Sequence, residues 1–212
     1  MGKIFLILLF SFVNLYSFDI VLVKYPKGDY YNARKGVKNF ISELKKRTNV
    51  KVDDKIYELS LDDINIFEHY FLIINGHVPI ELSEIEKKNL KIFLENGGFL
   101  FANDDYGMDK SFRKLMKEIF PDKELVKVPF FQSIYNCFYK FKNGIPKIHE
   151  HDGGPPEGLG IFIGKRLAVF YAFNTDIMDG WDPEEVHNDP LEKREEAIRM
   201  GVNIVLYSLG LE

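Results

Sequence analysis

The chain has 212 residues, 46% of them hydrophobic, which is enough apolar material for the buried core of one ordinary α/β domain. Its 28 Lys and Arg against 32 Asp and Glu give a net charge of -4, and this balance excludes the basic surface that a nucleic-acid partner requires. Cys137 is the one cysteine, so an internal disulfide is excluded, and we expect this residue to pack in the core.

Residues 1–17 have the pattern of a secretory signal peptide. Lys3 supplies the positive start, an apolar run follows it, and Ser17 places a small residue at the cleavage point. The uncharged span, residues 4–18, is shorter than the roughly 20 residues needed to cross a bilayer. We therefore expect export to the periplasm or extracellular space and a single α/β domain at 18–212. The alternative is an uncleaved segment that holds the chain at the membrane.

Hydrophobic periodicity predicts strands that alternate with helices in the first half of the chain. Strands are predicted at 19–23, 56–59, 70–74 and 99–102. Apolar residues at helical spacing are Val37, Phe40, Ile41 and Leu44 and, further along, Phe112, Leu115, Met116 and Ile119. Between these two helices, Ser83 and Glu86 form a capping box that begins a third helix, which Asn96-Gly97-Gly98 ends. This order predicts a mostly parallel sheet.

The second half predicts antiparallel strands at one edge of that sheet. The strand patterns lie at 125–128 and 136–141, and a hairpin joins 159–163 to 167–173. A final helix is predicted at 192–209 because its apolar residues form a wide face.

Polar residues follow four of the predicted strands, at 19–23, 70–74, 99–102 and 167–173. Ligands bind beyond the carboxyl ends of the strands in an open parallel sheet, so these residues predict a pocket for a small polar ligand. The candidates are Tyr25, Asp29, Tyr30, Asn32, His77, Asp104, Asp105, Asp176, Asp179, Trp181 and His187.

A Gly- and Pro-rich loop after residue 147 contains His149, His151 and Asp152. In an extended segment the two imidazoles point to one face, which suits two ligands of Zn or Mn, with a carboxylate such as Asp152, Asp104 or Asp176 completing the site. Ca would prefer oxygen ligands alone. The alternative is that both imidazoles bond the loop backbone and only stabilise the turn.

Four of these candidates have structural alternatives as well. Asp104 and Asp105 could act as a general base or as ligands in an enzyme, or could cap the following helix. Trp181 could stack on a sugar ring or pack on the core. His187 could be a third histidine of the pocket, or part of a turn before the last helix. The segment after the first strand lacks both phosphate-binding glycine patterns, so a nucleotide cofactor is not supported.

Several motifs together resemble the bacterial domain-of-unknown-function family numbered 4159. They are Gly28-Asp29-Tyr30-Tyr31-Asn32, Asn96-Gly97-Gly98-Phe99-Leu100, Asp104-Asp105-Tyr106-Gly107, His149-Glu150-His151-Asp152-Gly153, Asp179-Gly180-Trp181 and His187-Asn188-Asp189-Pro190. The resemblance implies a fold like that of class I glutamine amidotransferases, a flavodoxin-like three-layer sandwich, and no established activity. Those enzymes need a cysteine in a G-x-C-x-G turn, whereas the turn after the strand at 70–74 reads Asn75-Gly76-His77-Val78-Pro79, so glutamine hydrolysis is not expected.

The sequence leaves three hypotheses open. The leading one is an exported binding module whose pocket holds a metal ion or a carbohydrate without turnover. The second is a metal-dependent hydrolase in which His149 and His151 hold the ion and Asp104 or Asp105 activates water. The third is an interaction domain for envelope partners, which an exposed apolar patch would favour. The sequence does not define the oligomeric state.

Overall fold

The computed structural model describes residues 17–149 and 153–211, with the backbone alone at Tyr31. Among these residues, the strands are β1 (Phe18–Lys24), β2 (Val52–Ser60), β3 (Phe71–Gly76), β4 (Phe99–Asp104), β5 (Val126–Lys127), β6 (Glu157–Ile163) and β7 (Arg166–Phe173). The α-helices are α1 (Arg34–Arg47), α2 (Glu84–Glu95), α3 (Asp109–Ile119), α4 (Glu184–His187) and α5 (Leu191–Ser208). Short 3-10 helices lie at Tyr30–Ala33, Ile64–Glu68, Ser133–Tyr135 and Asp179–Trp181.

All seven of these strands belong to one sheet in the order β2-β1-β3-β4-β7-β6-β5. The five strands from β2 to β7 run parallel, and β6 and β5 add antiparallel pairings at one edge. The sequence prediction of a mostly parallel sheet with an antiparallel edge is therefore confirmed.

Helices cover both faces of the sheet, which gives three layers. Alternate residues of β1 point to opposite faces: Ile20 and Leu22 pack with α1 and α5, and Val21 and Val23 pack with α2 and α3. Each strand in the middle of the sheet is therefore apolar on both sides. Within the described part of the chain, no helix combines the length and apolar character needed to cross a bilayer.

The predicted helices begin and end for the reasons that the sequence indicates. Ser83 and Glu86 form both bonds of the capping box at the start of α2. At its end, Gly97 adopts a left-handed φ of 107°, and the amide of Gly98 donates to the carbonyl of Phe93 at 3.0 Å. The predicted helical spacings of α1 and α3 are confirmed because all eight apolar residues are buried.

The predicted strand at 136–141 is wrong. This segment is a series of turns after the 3-10 helix at Ser133–Tyr135, and the buried side chain of Asn203 on α5 takes the place of a strand neighbour. Asn203 accepts a bond from the amide of Tyr139 at 2.8 Å and donates to the carbonyls of Tyr139 and Ile134 at 2.8 and 3.0 Å. The backbone groups are thus satisfied without a sheet partner. Cys137 in this segment is half-buried against the core.

The helices that follow β1 and β3 pack on opposite faces of the sheet. β1 continues into α1, which packs on one face, whereas β3 continues into α2 on the other. Because β1 and β3 are neighbours, a crevice opens beyond their carboxyl ends, and this is where open α/β sheets bind ligands.

Candidate functional site

A cavity of about 320 Å³ lies at the carboxyl ends of β3, β4 and β7, beside the 3-10 helix that follows β1. Four aspartates, two histidines and two asparagines supply most of its lining. The residues are Asn32, Ala33, Asn75, His77, Asp105, Asp176, Met178, Asp179, Asp182, Val186 and His187. No lysine or arginine occurs among the described residues that line it. The cavity is therefore strongly acidic.

Three of the aspartates converge inside this cavity. Asp105 directly follows β4, and Asp176 and Asp179 lie in the loop after β7. One carboxylate oxygen from each can be chosen so that all three lie within 4.8 Å of one another, although the side chains come from two separate loops. All three residues are buried, and Asp176 is completely inaccessible. We refer to Asp105, Asp176 and Asp179 as the acidic cluster.

Burial raises the pKa of two of these carboxyl groups. Desolvation is the largest cause for both Asp105 and Asp179, and the neighbouring carboxyl of Asp176 raises each pKa further. The cluster therefore resists ionisation while no positive charge lies among its oxygens.

Asp176 is held by neutral donors. Its Oδ1 accepts from the side-chain amide of Asn103 at 2.8 Å and from the backbone amide of Asp179 at 3.3 Å. Its backbone has a left-handed φ of 51°, which is costly for a residue with a Cβ. These contacts fix the carboxylate at the floor of the cavity.

Three histidines surround the acidic cluster. His77 Nδ1 lies 2.7 Å from Asp29 Oδ2 and 3.2 Å from Asp105 Oδ2. His149 Nδ1 lies 3.3 Å from Asp179 Oδ2, and His187 Nε2 lies 3.3 Å from Asp179 Oδ1. The histidines come from three distant parts of the sequence, and each contacts at least one carboxylate of the cluster.

Asp29 orients His77. Its Oδ1 accepts from the backbone amide of His77 at 3.1 Å, while its Oδ2 faces the imidazole. Gly76 makes this close approach feasible, because a Cβ there would lie 2.5 Å from Asp29 Oδ1 and 2.1 Å from Tyr25 Oη. The turn after β3 thus presents an oriented histidine at the mouth of the cavity.

Asp104 points away from the cavity, unlike its neighbour. Its Oδ1 accepts from the backbone amide of Met108 at 3.0 Å at the start of α3, and its Oδ2 accepts from the hydroxyl of Tyr171 at 3.1 Å. Burial raises the pKa of this carboxyl group. The capping alternative fits Asp104, whereas Asp105 fits the site.

Three of the predicted ligand-binding residues are aromatic, and none of the three is among the described residues that line the cavity. Tyr25 is buried, and its hydroxyl donates to the carbonyl of Asn75 at 3.1 Å; burial raises its pKa. Tyr30 is half-buried and packs against Tyr25 with ring centres 6.4 Å apart. Trp181 is only 1% exposed, stacks on Phe40 at 4.1 Å and donates from Nε1 to the carbonyl of Ala197. The alternative that Trp181 packs on the core fits this structure, because one face of the indole stacks on Phe40 and its polar tip bonds the backbone of α5.

Three predicted site residues remain, namely Asn32, His151 and Asp152. Asn32 lines the cavity at its exposed rim. His151 and Asp152 lie outside the described residues, so the paired imidazoles predicted for His149 and His151 stay a prediction.

Three further residues of this region are not among the predicted site residues. Asn103, which supports Asp176, lies inside β4 and carries no motif. Asp182 lines the cavity, and its Oδ2 lies 3.0 Å from His187 Nε2. Asp189 can offer an oxygen to the same point as His149 and Asp179. The only available signal was that Asp182 and Asp189 occur in the polar run after β7.

A comparison with known families gives a match over nearly the whole described chain. A search of curated proteins found none that matches this chain. A family model described as a domain of unknown function, DUF4159, matches residues 19–209, a range that includes every strand and helix around the cavity. The chain therefore belongs to the DUF4159 family.

Proposed function

We propose that the chain is a binding module whose cavity takes a divalent metal ion at the acidic cluster, without turnover. The observation that carries this proposal is the convergence of three buried carboxylates whose oxygens lie within 4.8 Å of one another. Buried carboxylates repel one another unless they share protons or a cation lies between them. A divalent ion would satisfy oxygens that come from two loops and join β4 to the loop after β7.

The composition of the cavity favours a cation over a carbohydrate. The carbohydrate alternative relied on Trp181 as a stacking surface, and that indole lies in the core. Among the described lining residues, carboxylates and imidazoles face the cavity without a lysine or arginine to balance them. A cation would supply the missing positive charge.

The mixture of oxygen and nitrogen donors suggests the type of ion. Carboxylate oxygens suit Mg²⁺, Ca²⁺ and Mn²⁺, whereas imidazoles suit Zn²⁺ and other transition metals. Mn²⁺ accepts both donor types, and His149 and His187 border the cluster through Asp179. We therefore propose Mn²⁺ as the first ion to test, with Zn²⁺ and Ca²⁺ for comparison.

The test is calorimetric titration and elemental analysis of protein purified without chelator or affinity metal. Wild-type protein is expected to bind Mn²⁺, and Asp105→Asn is expected to weaken binding at least tenfold. Asp122→Asn is the matched control because its side chain is 71% exposed and lies outside the cavity. Wild-type protein that binds none of the three ions would contradict the proposal, as would an Asp105→Asn variant that binds normally.

A metal-dependent hydrolase is the second candidate, and the Asp29–His77 pair favours it. An imidazole oriented by a carboxylate beside a metal site is suited to accept a proton from attacking water. His77→Gln is then expected to abolish Mn²⁺-dependent hydrolysis of p-nitrophenyl ester or phosphate substrates while Mn²⁺ binding persists. Hydrolysis that is unchanged in this variant would contradict that role for His77.

We further propose the fold class, the bacterial origin and the exported location that the sequence suggests for this chain. The parallel order β2-β1-β3-β4-β7 supports a flavodoxin-like fold of the class I glutamine amidotransferase type, and the resemblance supports a bacterial origin.

The signal pattern supports export, which cell fractionation and N-terminal sequencing of the mature protein would test. The exposed side chains of Phe130, Phe131 and Phe138 are the observation that favours an additional contact with an envelope partner.

A further inference from the structure

A second group of metal-ligand atoms shares one carboxylate with the acidic cluster. His149, Asp179 and Asp189 can each place a ligand atom within 4.8 Å of the other two. Asp179 belongs to this group and also to the acidic cluster. The two groups are therefore neighbours, and Asp179 lies between them.

The orientation of Asp179 suits a shared role. Its Oδ2 lies 3.3 Å from His149 Nδ1, and its Oδ1 lies 3.3 Å from His187 Nε2. The two oxygens thus face imidazoles from different segments of the chain. A carboxylate that presents its oxygens in two directions can bridge two metal ions, which lie about 3.5 to 4 Å apart in sites of this type.

Asp189 contributes a separate observation. Its Oδ2 is buried, yet it has no hydrogen-bond partner among the described residues. A buried carboxylate oxygen without a donor is unfavourable unless another positive group satisfies it. Asn188, with a left-handed φ of 56°, and Pro190, at the start of α5, restrict the backbone on both sides of Asp189. The unsatisfied oxygen is thus part of a constrained turn.

The backbone of His149 is also fixed beside this group. Its amide donates to the carbonyl of Thr175 at 2.8 Å, and the amide of Ile148 donates to the same carbonyl at 3.1 Å. Thr175 directly precedes Asp176 of the acidic cluster. The segment that carries His149 is therefore docked on the loop that carries the shared aspartate.

We propose that the cavity is a two-ion site in which His149, Asp179 and Asp189 hold a second divalent cation and Asp179 bridges it to the ion at the acidic cluster. This inference rests on the proposed function, since it adds an ion to the proposed first one. The second position includes an imidazole, so it suits a transition metal such as Mn²⁺ or Zn²⁺. Water would complete the coordination of both ions.

The test is the number of Mn²⁺ ions bound per chain, measured by calorimetry and elemental analysis. Wild-type protein is expected to bind two ions, and His149→Gln and Asp189→Asn are each expected to bind one. Asp105→Asn is expected to lose the other ion, and Asp179→Asn is expected to weaken both sites at least tenfold. Asp122→Asn is expected to match wild type, and circular dichroism of each variant checks its fold.

Electron paramagnetic resonance provides a second readout, which reports magnetic coupling between the ions rather than their number. Two Mn²⁺ ions bridged by Asp179 are expected to give a spin-coupled spectrum in wild-type protein and an uncoupled spectrum in Asp189→Asn. One ion per chain, lost in Asp105→Asn and unchanged in His149→Gln and Asp189→Asn, would overturn the second position and leave the proposed function intact. Absence of any bound Mn²⁺, Zn²⁺ or Ca²⁺ in wild-type protein would overturn both.

Discussion

The side-chain amide of Asn103 donates to Asp176 Oδ1 at 2.8 Å, and it also donates to Asn75 Oδ1 at 2.7 Å. Asn103 lies in β4, Asn75 in β3 and Asp176 beyond β7, so one amide connects two neighbouring strands to the acidic cluster. The donor is neutral, so it orients the carboxylate of Asp176 without cancelling its charge. The donation from Asn103 therefore leaves the electrostatic repulsion among the three carboxyl groups of the acidic cluster in place.

Replacement of Asp105 by a side chain that does not ionise is expected to stabilise the metal-free protein at alkaline pH. The pKa of Asp105 is raised in the folded chain, so the folded state keeps a proton that the unfolded state loses above its ordinary pKa of 3.8. The free energy of unfolding therefore falls as pH rises from about 4 toward the raised pKa. At pH 8, Asp105→Asn is therefore expected to be more stable than wild type.

Urea denaturation at pH 5 and pH 8 in the presence of chelator measures this effect. The advantage of Asp105→Asn over wild type is expected to be larger at pH 8, whereas Asp122→Asn is expected to change little at either pH. A variant less stable than wild type at pH 8 would show that the Asp105 carboxyl makes a net favourable contribution and would contradict the prediction.

Binding of Mn²⁺ is expected to strengthen as pH rises. The ion needs ionised carboxylates, and burial keeps protons on Asp105 and Asp179 up to an unusually high pH. Thermal unfolding with and without Mn²⁺ is therefore expected to show a larger stabilisation at pH 8 than at pH 5. An equal or smaller shift at pH 8 would indicate that no proton leaves the acidic cluster when the ion binds.

Local sequence patterns predicted most of the fold because those patterns also determine the packing. The spacing of Val37, Phe40 and Ile41 corresponds to one buried face of α1, and the capping box at Ser83 corresponds to the start of α2. The strand predicted at 136–141 failed because Asn203 satisfies this backbone from more than 60 positions further along the chain. No local pattern contains that information.

The site was predicted in the same partial way. The rule that ligands bind beyond the carboxyl ends of parallel strands pointed to the loops that carry Asp105, Asp176 and His77, and these three residues line one cavity. It does not determine the direction of individual side chains, so Asp104 and Asp105 could not be distinguished. The sequence left Trp181 between the pocket and the core because its partners Phe40 and Ala197 become neighbours only after folding.

Substitution of Gly76 by alanine is expected to destabilise the protein by about 1 to 3 kcal/mol. The added Cβ would lie 2.1 Å from Tyr25 Oη and 2.5 Å from Asp29 Oδ1, so both side chains would have to move. Gly153→Ala is the matched control because a Cβ there meets no described atom within 4 Å. Thermal denaturation of the two variants tests this, and equal stability would show that the turn after β3 adjusts freely.

Replacement of Trp181 is expected to affect stability and to leave metal binding intact. The indole stacks on Phe40 at 4.1 Å and is almost completely buried, so Trp181→Ala is expected to cost about 3 to 5 kcal/mol and Trp181→Phe less. Calorimetry with Trp181→Phe is expected to give wild-type affinity for Mn²⁺. A stable Trp181→Phe variant with a tenfold loss of affinity would instead place this residue in the binding site.

Asn203→Ala is expected to destabilise the chain by on the order of 3 kcal/mol, because it removes the partner of three backbone groups. The side chain bonds the amide and carbonyl of Tyr139 and the carbonyl of Ile134, and the residue is fully buried. Asn96→Ala is the matched control, since that side chain is exposed and makes one bond to the carbonyl of Ile92 at the end of α2. Urea denaturation is expected to show a loss below about 1 kcal/mol for the control. Similar losses in both variants would mean that water replaces Asn203 and that the turns at 136–141 hold without it.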